Sequence, residues 1–384
     1  MRQALPNRLR NAIAAGASTL LILGLAAPAM ADTVGGELLA STHRTVSPLP
    51  GADPLPDVWA ETWILADATT GEVLAQKGSH VPRAPASTLK MLTALTVLPR
   101  LSSDETYVAT ERAAGIYGAR VGLKPGRTYT LDQLWNAVFL PSANDAALAV
   151  AEANGGVKKT IKQMNEVANG LQAYDTVART PSGLDRPLQV SSAYDLALIA
   201  RAGLARPDFA AYASKKKAMF PDVKGKGSHP IYTTNRLLLH GYLGALGVKT
   251  GFTSQAGRTY VGAARRAGTT LIVTLMGIHE ASEVAARKLL DWGFQNHSKV
   301  TPIGTLVDPV DDLPAPTPET ASATSSPLAV VVDGPAAAPS ARELKGLSNA
   351  VLWGAGIVSV LAACASLLAV VTRRRSRGRH AARK

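Results

Sequence analysis

Hydrophobic positions change period twice along residues 58–300. Trp63-Ile64-Leu65-Ala66, the polar Thr69-Thr70-Gly71 and Glu72-Val73-Leu74-Ala75 predict a β-hairpin. The spacing then becomes helical: Leu89, Leu92, Leu95 and Leu98; Leu131, Leu134 and Val138; the run Ala146 to Ala153; and Ile161, Met164, Val167 and Leu171. Gly257–Arg265 and Thr269–Ile278 are again β-rich and apolar, split by the turn-like Arg266-Ala267-Gly268. Strands at both ends with helices between them predict an α+β fold. In it the first hairpin joins the last strands in one antiparallel sheet flanked by helices, forming a single domain over 58–300 without internal repeats.

Two further apolar runs lie outside that region. Arg2, Arg8 and Arg10 precede an apolar stretch from Ala12 to Leu25, and Ala29-Met30-Ala31 offers the small residues that suit cleavage, so 1–31 reads as a secretory signal peptide. Ala350 to Val371 is a 22-residue stretch without a charge, followed by Arg373-Arg374-Arg375. That is long enough for a transmembrane helix over 350–371, and the positive-inside rule leaves the basic tail, 372–384, in the cytoplasm. Residues 32–57 read as a lead segment, and 301–347, rich in Pro, Ala, Ser and Thr, as a flexible linker. The expected location is outside the cytoplasm, anchored to the cell membrane at the C-terminal end.

Charge sharpens this picture. The 384-residue chain carries a net +13, which by itself suggests a nucleic-acid partner. Ten of those charges, however, sit in the first 31 and last thirteen residues, where export and stop-transfer explain them. The linker is acidic, and residues 32–300 keep about +7. No nucleic-acid partner is expected. With 46% hydrophobic and 18% charged residues the chain is too apolar to be disordered. Its one cysteine, Cys364, falls in the expected membrane span, which excludes an internal disulfide and a cysteine-ligated metal site in the exported part. The histidines are scattered, and His279-Glu280 lacks a second histidine four residues on. A zinc hydrolase is not expected, and neither is any other metal or cofactor.

Chemistry concentrates in three short segments. Ser87 and Lys90 share one face of a predicted helix. A serine there can simply cap the helix, but a buried lysine beside it loses its preference for the charged form and becomes a base for the hydroxyl. Ser142-Ala143-Asn144 places a hydroxyl and a carboxamide two residues apart between helical runs. Lys249-Thr250-Gly251 places a cation, a hydroxyl and a bare backbone ahead of a β-rich run; Val248 stands where a phosphate-binding loop needs glycine.

Ser-x-x-Lys, Ser-x-Asn and Lys-Thr-Gly in this order form the serine acyl-transferase set of penicillin-binding proteins and β-lactamases. The chain resembles the low-molecular-mass penicillin-binding proteins that are serine-type D-alanyl-D-alanine carboxypeptidases. Ala66–Leu74, Ser87–Leu95, Val121–Gly126, Leu140–Glu152, Pro181–Leu184, Ser191–Ala197, Thr234–Leu238, Lys249–Gly257 and Leu289–Phe294 carry the match.

The resemblance implies that Ser87 is the nucleophile, Lys90 its base and Ser142 a proton relay. It also implies that Asn144, Lys249, Thr250 and Gly251 bind substrate, and that the backbone N–H groups of Ser87 and Phe252 form the oxyanion hole. The implied partners are peptidoglycan stem peptides ending in D-Ala-D-Ala, with β-lactams as covalent inhibitors. Two departures stand out. Family members often carry a carboxylate-binding arginine where this chain has Ser282, with Arg287 nearby but not at the matching place. Many also carry a β-rich domain where this chain has the Pro-rich linker. A β-lactamase and a catalytically silent penicillin- or muropeptide-binding protein are the alternatives. Glu152 and Glu166, the only glutamates between Asn144 and Lys249, both fall in helical runs.

Overall fold

The two ends of the domain meet in one antiparallel sheet. A computed structural model describes residues 33–222 and 227–310. Its main sheet has eight strands: β1 (Arg44–Pro48), β2 (Ala60–Asp67), β3 (Glu72–Lys77), β4 (Ala245–Thr253), β5 (Gly257–Arg266), β6 (Thr269–Ile278), β7 (Val300–Thr301) and β8 (Gly304–Thr305). They run in the order β7-β1-β3-β2-β6-β5-β4, with β8 also paired to β3. The predicted hairpin is β2–β3, turned by Gly71 at φ 85°, and it joins the late strands through β2 and β6, where Leu65 faces Val273. β4 forms one edge of the sheet.

Alternation along these strands supplies two cores. Ile64 and Ala66 of β2, Val261 and Ala263 of β5 and Ile272 of β6 face one side of the sheet. Trp63 and Leu65, Tyr260 and Ala264, and Leu271 and Val273 face the other. A strand buried on both faces reads as a continuous apolar run, as β6 does. The first side is covered by α1 (Lys90–Val97), α2 (Leu131–Phe139), α3 (Asn144–Ala153), α4 (Val157–Gly170) and α5 (Ala193–Leu204). The second is covered by α6 (Ser282–Asn296) through Ala285, Ala286, Leu289 and Leu290. Thr130 caps α2 in a reciprocal pair with Gln133, its hydroxyl accepting the Gln133 N–H at 3.2 Å while the Gln133 side chain accepts the Thr130 N–H at 3.1 Å. α3 buries Ala146, Ala147, Ala149 and Ala151, and such short side chains let neighbouring helices approach closely.

The folded region extends beyond 58–300 on both sides. β1 comes from the expected lead segment and β8 from the start of the expected linker. The buried Gln76 amide ties the lead segment down, donating to the Ser41 carbonyl at 3.0 Å and to Thr45 Oγ1 at 3.0 Å. His80 does the same, with Nε2 at 3.0 Å from the Val34 carbonyl and Nδ1 at 2.8 Å from Asp175. The expected signal peptide, the linker from residue 311 onward, the transmembrane helix and the basic tail lie outside the described residues. Among the described residues no helix is long and apolar enough to cross a membrane.

Candidate active site

Ser87 lies in a 3-10 turn, Ala86–Leu89, that runs directly into α1. Its hydroxyl meets Lys90 rather than a helical N–H, so capping does not account for it. The turn is held from behind: Thr88 Oγ1 donates to the Pro85 carbonyl at 2.6 Å and Thr259 Oγ1 of β5 donates to the same oxygen at 2.9 Å. Ala86 adopts φ 49°, a left-handed conformation that non-glycine residues seldom take.

Lys90 is fully buried at the first residue of α1. Its Nζ lies 2.8 Å from Ser87 Oγ, 2.7 Å from Asn144 Oδ1 and 2.7 Å from the Ser182 carbonyl oxygen. The Asn144 amide is oriented by its Nδ2, which donates to the Tyr117 carbonyl at 3.0 Å. Two of the three partners of Lys90 can therefore only accept. A neutral amine satisfies them with its two hydrogens and turns its lone pair to the Ser87 hydroxyl. Burial, reinforced by the positive charge of Lys249 and opposed by Asp145, holds the Lys90 ammonium well below its ordinary value, which favours that neutral form.

Ser142 and Lys249 form the second pair. Ser142 sits at φ 62° in the turn between α2 and α3, and Lys249 Nζ of β4 donates to its Oγ at 2.8 Å and to the Thr250 carbonyl at 2.9 Å. Burial pushes Lys249 down to about 7. Along β4 the pleat sends Lys249 and Gly251 toward the helices and Thr250 and Phe252 to the opposite face. Thr250 Oγ1 meets Thr234 Oγ1 at 2.7 Å. A Cβ at Gly251 would lie 2.9 Å from the Ser87 nitrogen and 2.3 Å from Thr259 Oγ1, so only glycine lets β4 pass this close to the Ser87 turn.

Residues 50–280 match the family described as D-alanyl-D-alanine carboxypeptidase. The chain belongs to that family. It is a serine-type carboxypeptidase and hydrolase by class. It is 42% identical over 251 residues to the D-alanyl-D-alanine carboxypeptidase DacB2 of Mycobacterium tuberculosis, covering 64% of this chain and 85% of that one. Against the D-alanyl-D-alanine carboxypeptidase DacD of Escherichia coli the identity is 32%, over 66% of this chain and 67% of the relative. The crystal structure of a D-alanyl-D-alanine carboxypeptidase from Mycobacterium tuberculosis superimposes with a TM-score of 0.64 at 41% identity, covering 68% of this chain and 100% of that one. The Streptomyces K15 DD-transpeptidase superimposes with a TM-score of 0.61 at 29% identity, over 63% of this chain and 100% of that one.

In this carboxypeptidase a cleft of about 600 Å³ opens over the two pairs and is lined by Ser87, Ser142, Thr250, Gly251 and Phe252 among others. Lys90, Asn144 and Lys249 stand behind it, buried. Asn144, expected to hold the substrate backbone, has both ends of its amide engaged by Lys90 and Tyr117. Ser282 also lines the cleft, whereas Arg287 turns away to bind Glu283 at 2.9 Å and cover the Tyr242 ring.

Several contributors had no role assigned to them from the sequence. The carbonyls of Ser182 and Tyr117 act through backbone atoms, to which side-chain patterns are blind. Asp145 was adjacent to a motif but silent in it: its buried carboxylate accepts the N–H groups of Val121 at 3.1 Å, Gly122 at 2.8 Å and Leu123 at 3.0 Å, fixing the loop beside α3. Its place directly after Asn144, within the matching segment Leu140–Glu152, was the hint available.

Proposed function

We propose that this enzyme removes the terminal D-Ala from peptidoglycan stem peptides through an acyl-enzyme on Ser87. The observation that carries the reading is the Lys90 amine, buried, lowered in basicity and 2.8 Å from the Ser87 hydroxyl. Ser87 Oγ attacks the carbonyl carbon of the penultimate D-Ala while Lys90 Nζ takes its proton. The peptide C–N bond breaks, and Ser142 relays a proton to the departing amine. Water then hydrolyses the ester. Lys249 and Thr250 attract the terminal carboxylate, Asn144 acts by positioning Lys90, and the N–H groups of Ser87 and Phe252 stabilise the oxyanion, typically worth about 3–4 kcal/mol per donor. Penicillins would enter the same sequence and stop at the ester. Export by residues 1–31 and anchoring through 350–371 would place the site where its substrate lies.

A β-lactamase of the class A kind would need a loop glutamate beside the ester to activate water. Glu152 is held by Thr110 at 2.8 Å and by Tyr107, and Glu166 pairs with Lys162 at 3.4 Å on α4. Neither lines the cleft.

Incubating the full chain in detergent with a pentapeptide ending in D-Ala-D-Ala should yield the tetrapeptide and free D-Ala by mass spectrometry. Ser87→Ala should abolish this together with covalent labelling by a fluorescent penicillin. Labelling that survives the substitution would overturn the nucleophile, and labelling without D-Ala release would mark a silent binder.

A further inference from the structure

We propose that Arg258 is the cation that binds the substrate's terminal carboxylate in this enzyme, in the role left vacant at Ser282. The inference rests on the carboxypeptidase reading and names a specificity residue for it.

The sheet register places Arg258 on the required face. Across β4 and β5, Thr250 is opposite Tyr260 and Phe252 is opposite Arg258. Directly opposed residues project to the same side of a sheet, so Thr250, Phe252, Arg258 and Tyr260 share one face. Arg258 is the diagonal neighbour of Thr250, a spacing of about 7–8 Å that a long side chain spans. That face is the one on which the Thr250 hydroxyl awaits a carboxylate, and Arg258 lines the same cleft as Thr250 and Ser282.

Charge pairing leaves Arg258 available, as it does Arg236, so the register is what separates the two. Among the described residues the cleft wall has one acid, Glu283, and it is already engaged by Arg287 at 2.9 Å and His240 at 2.9 Å. Arg258 has no acidic partner among the described residues. An exposed guanidinium on the same sheet face as the Thr250 hydroxyl, with the local acid occupied, offers N–H donors that can pair with a carboxylate. Lys249 cannot take this role alone: it points through the other face to Ser142, and its charge weakens above about pH 7. Arg236 also lines the cleft but lies on the short helix after Asn235, outside the β4–β5 register, and serves as the comparison.

The test compares peptides ending in D-Ala-D-Ala and in D-Ala-D-alaninamide, which differ in the carboxylate alone, using the full chain in detergent. Arg258→Ala should lower kcat/KM on the acid by about 10- to 100-fold, the range for losing a charged hydrogen bond, while changing the amide by less than about 3-fold. Arg258→Lys should recover part of the loss, and Ser282→Arg added to Arg258→Ala should restore preference for the acid. Equal losses on both peptides, or a carboxylate-selective loss in Arg236→Ala with none in Arg258→Ala, would overturn the assignment. A wild-type chain inert toward the acid would instead bring down the carboxypeptidase reading.

Discussion

A Cβ placed on Gly183 would lie 1.8 Å from the carbonyl oxygen of Ala86 and 3.2 Å from the Ser87 nitrogen. The loop that presents the Ser182 carbonyl to Lys90 is thus pressed against the backbone that presents Ser87, and the base and nucleophile are positioned by one contact. Gly183 also adopts φ 79°, in the left-handed region. Gly183→Ala must part the two segments and strain its own backbone. It should destabilise the protein by about 1–3 kcal/mol and slow penicillin acylation more than that loss explains. Urea unfolding and stopped-flow labelling measure the two effects; wild-type values for both would show that the loop yields freely.

Acylation should have a bell-shaped pH dependence set by the two buried lysines. Lys90 must be neutral to accept the Ser87 proton, so the rate falls on the acid side as it gains one. Lys249, lowered to about 7 by burial, must be charged to attract a carboxylate, so kcat/KM falls as pH rises through that value. A bound carboxylate favours the charged form, which moves the alkaline limb upward in kcat relative to kcat/KM. Lys249→Arg keeps its charge at every working pH and should erase the alkaline limb even at a lower overall rate. An unchanged limb in that variant would assign it to another group.

The three motifs could be read from the chain because each needs particular side chains at fixed short spacing. Their convergence was less visible: Asn144 reaches Lys90 from 54 residues away, and Lys249 reaches Ser142 across 107. The hairpin and the β5–β6 pair were legible from β-rich apolar runs around glycine turns. β1 was not, since Arg44-Thr45-Val46-Ser47-Pro48 is short, mostly polar and half exposed, and its partner β3 already looked complete as a hairpin strand. Left-handed backbone at Ala86 and Ser142 was equally hidden, because neither residue type advertises it.

Asp145 couples stability to catalysis. Its carboxylate satisfies three N–H groups of the loop from Val121 to Leu123, and Asp145→Ala should cost about 2–4 kcal/mol by leaving buried donors without partners. The carboxylate also raises the Lys90 pKa against the effects of burial and Lys249. Asp145→Asn removes that charge while keeping one acceptor, so the acid limb of acylation should move to lower pH. A shift to higher pH would contradict the electrostatic coupling, whatever happened to stability.

Leu39 tests whether residues ahead of 58 belong to the folding unit. It lies in the short turn Glu37–Ala40, is 0% exposed and packs so closely on β8 that a Cβ at Gly304 would come within 2.7 Å of its Cδ1. One side chain thus joins the expected lead segment to the start of the expected linker, far from the Ser87 cleft in the sheet order. Leu39→Ala should lower unfolding free energy by about 2–5 kcal/mol, the range for emptying a packed leucine site. If 33–48 were only a tether, the denaturation midpoint would not move. A large drop requires instead that β1 and β8 fold together with the catalytic sheet.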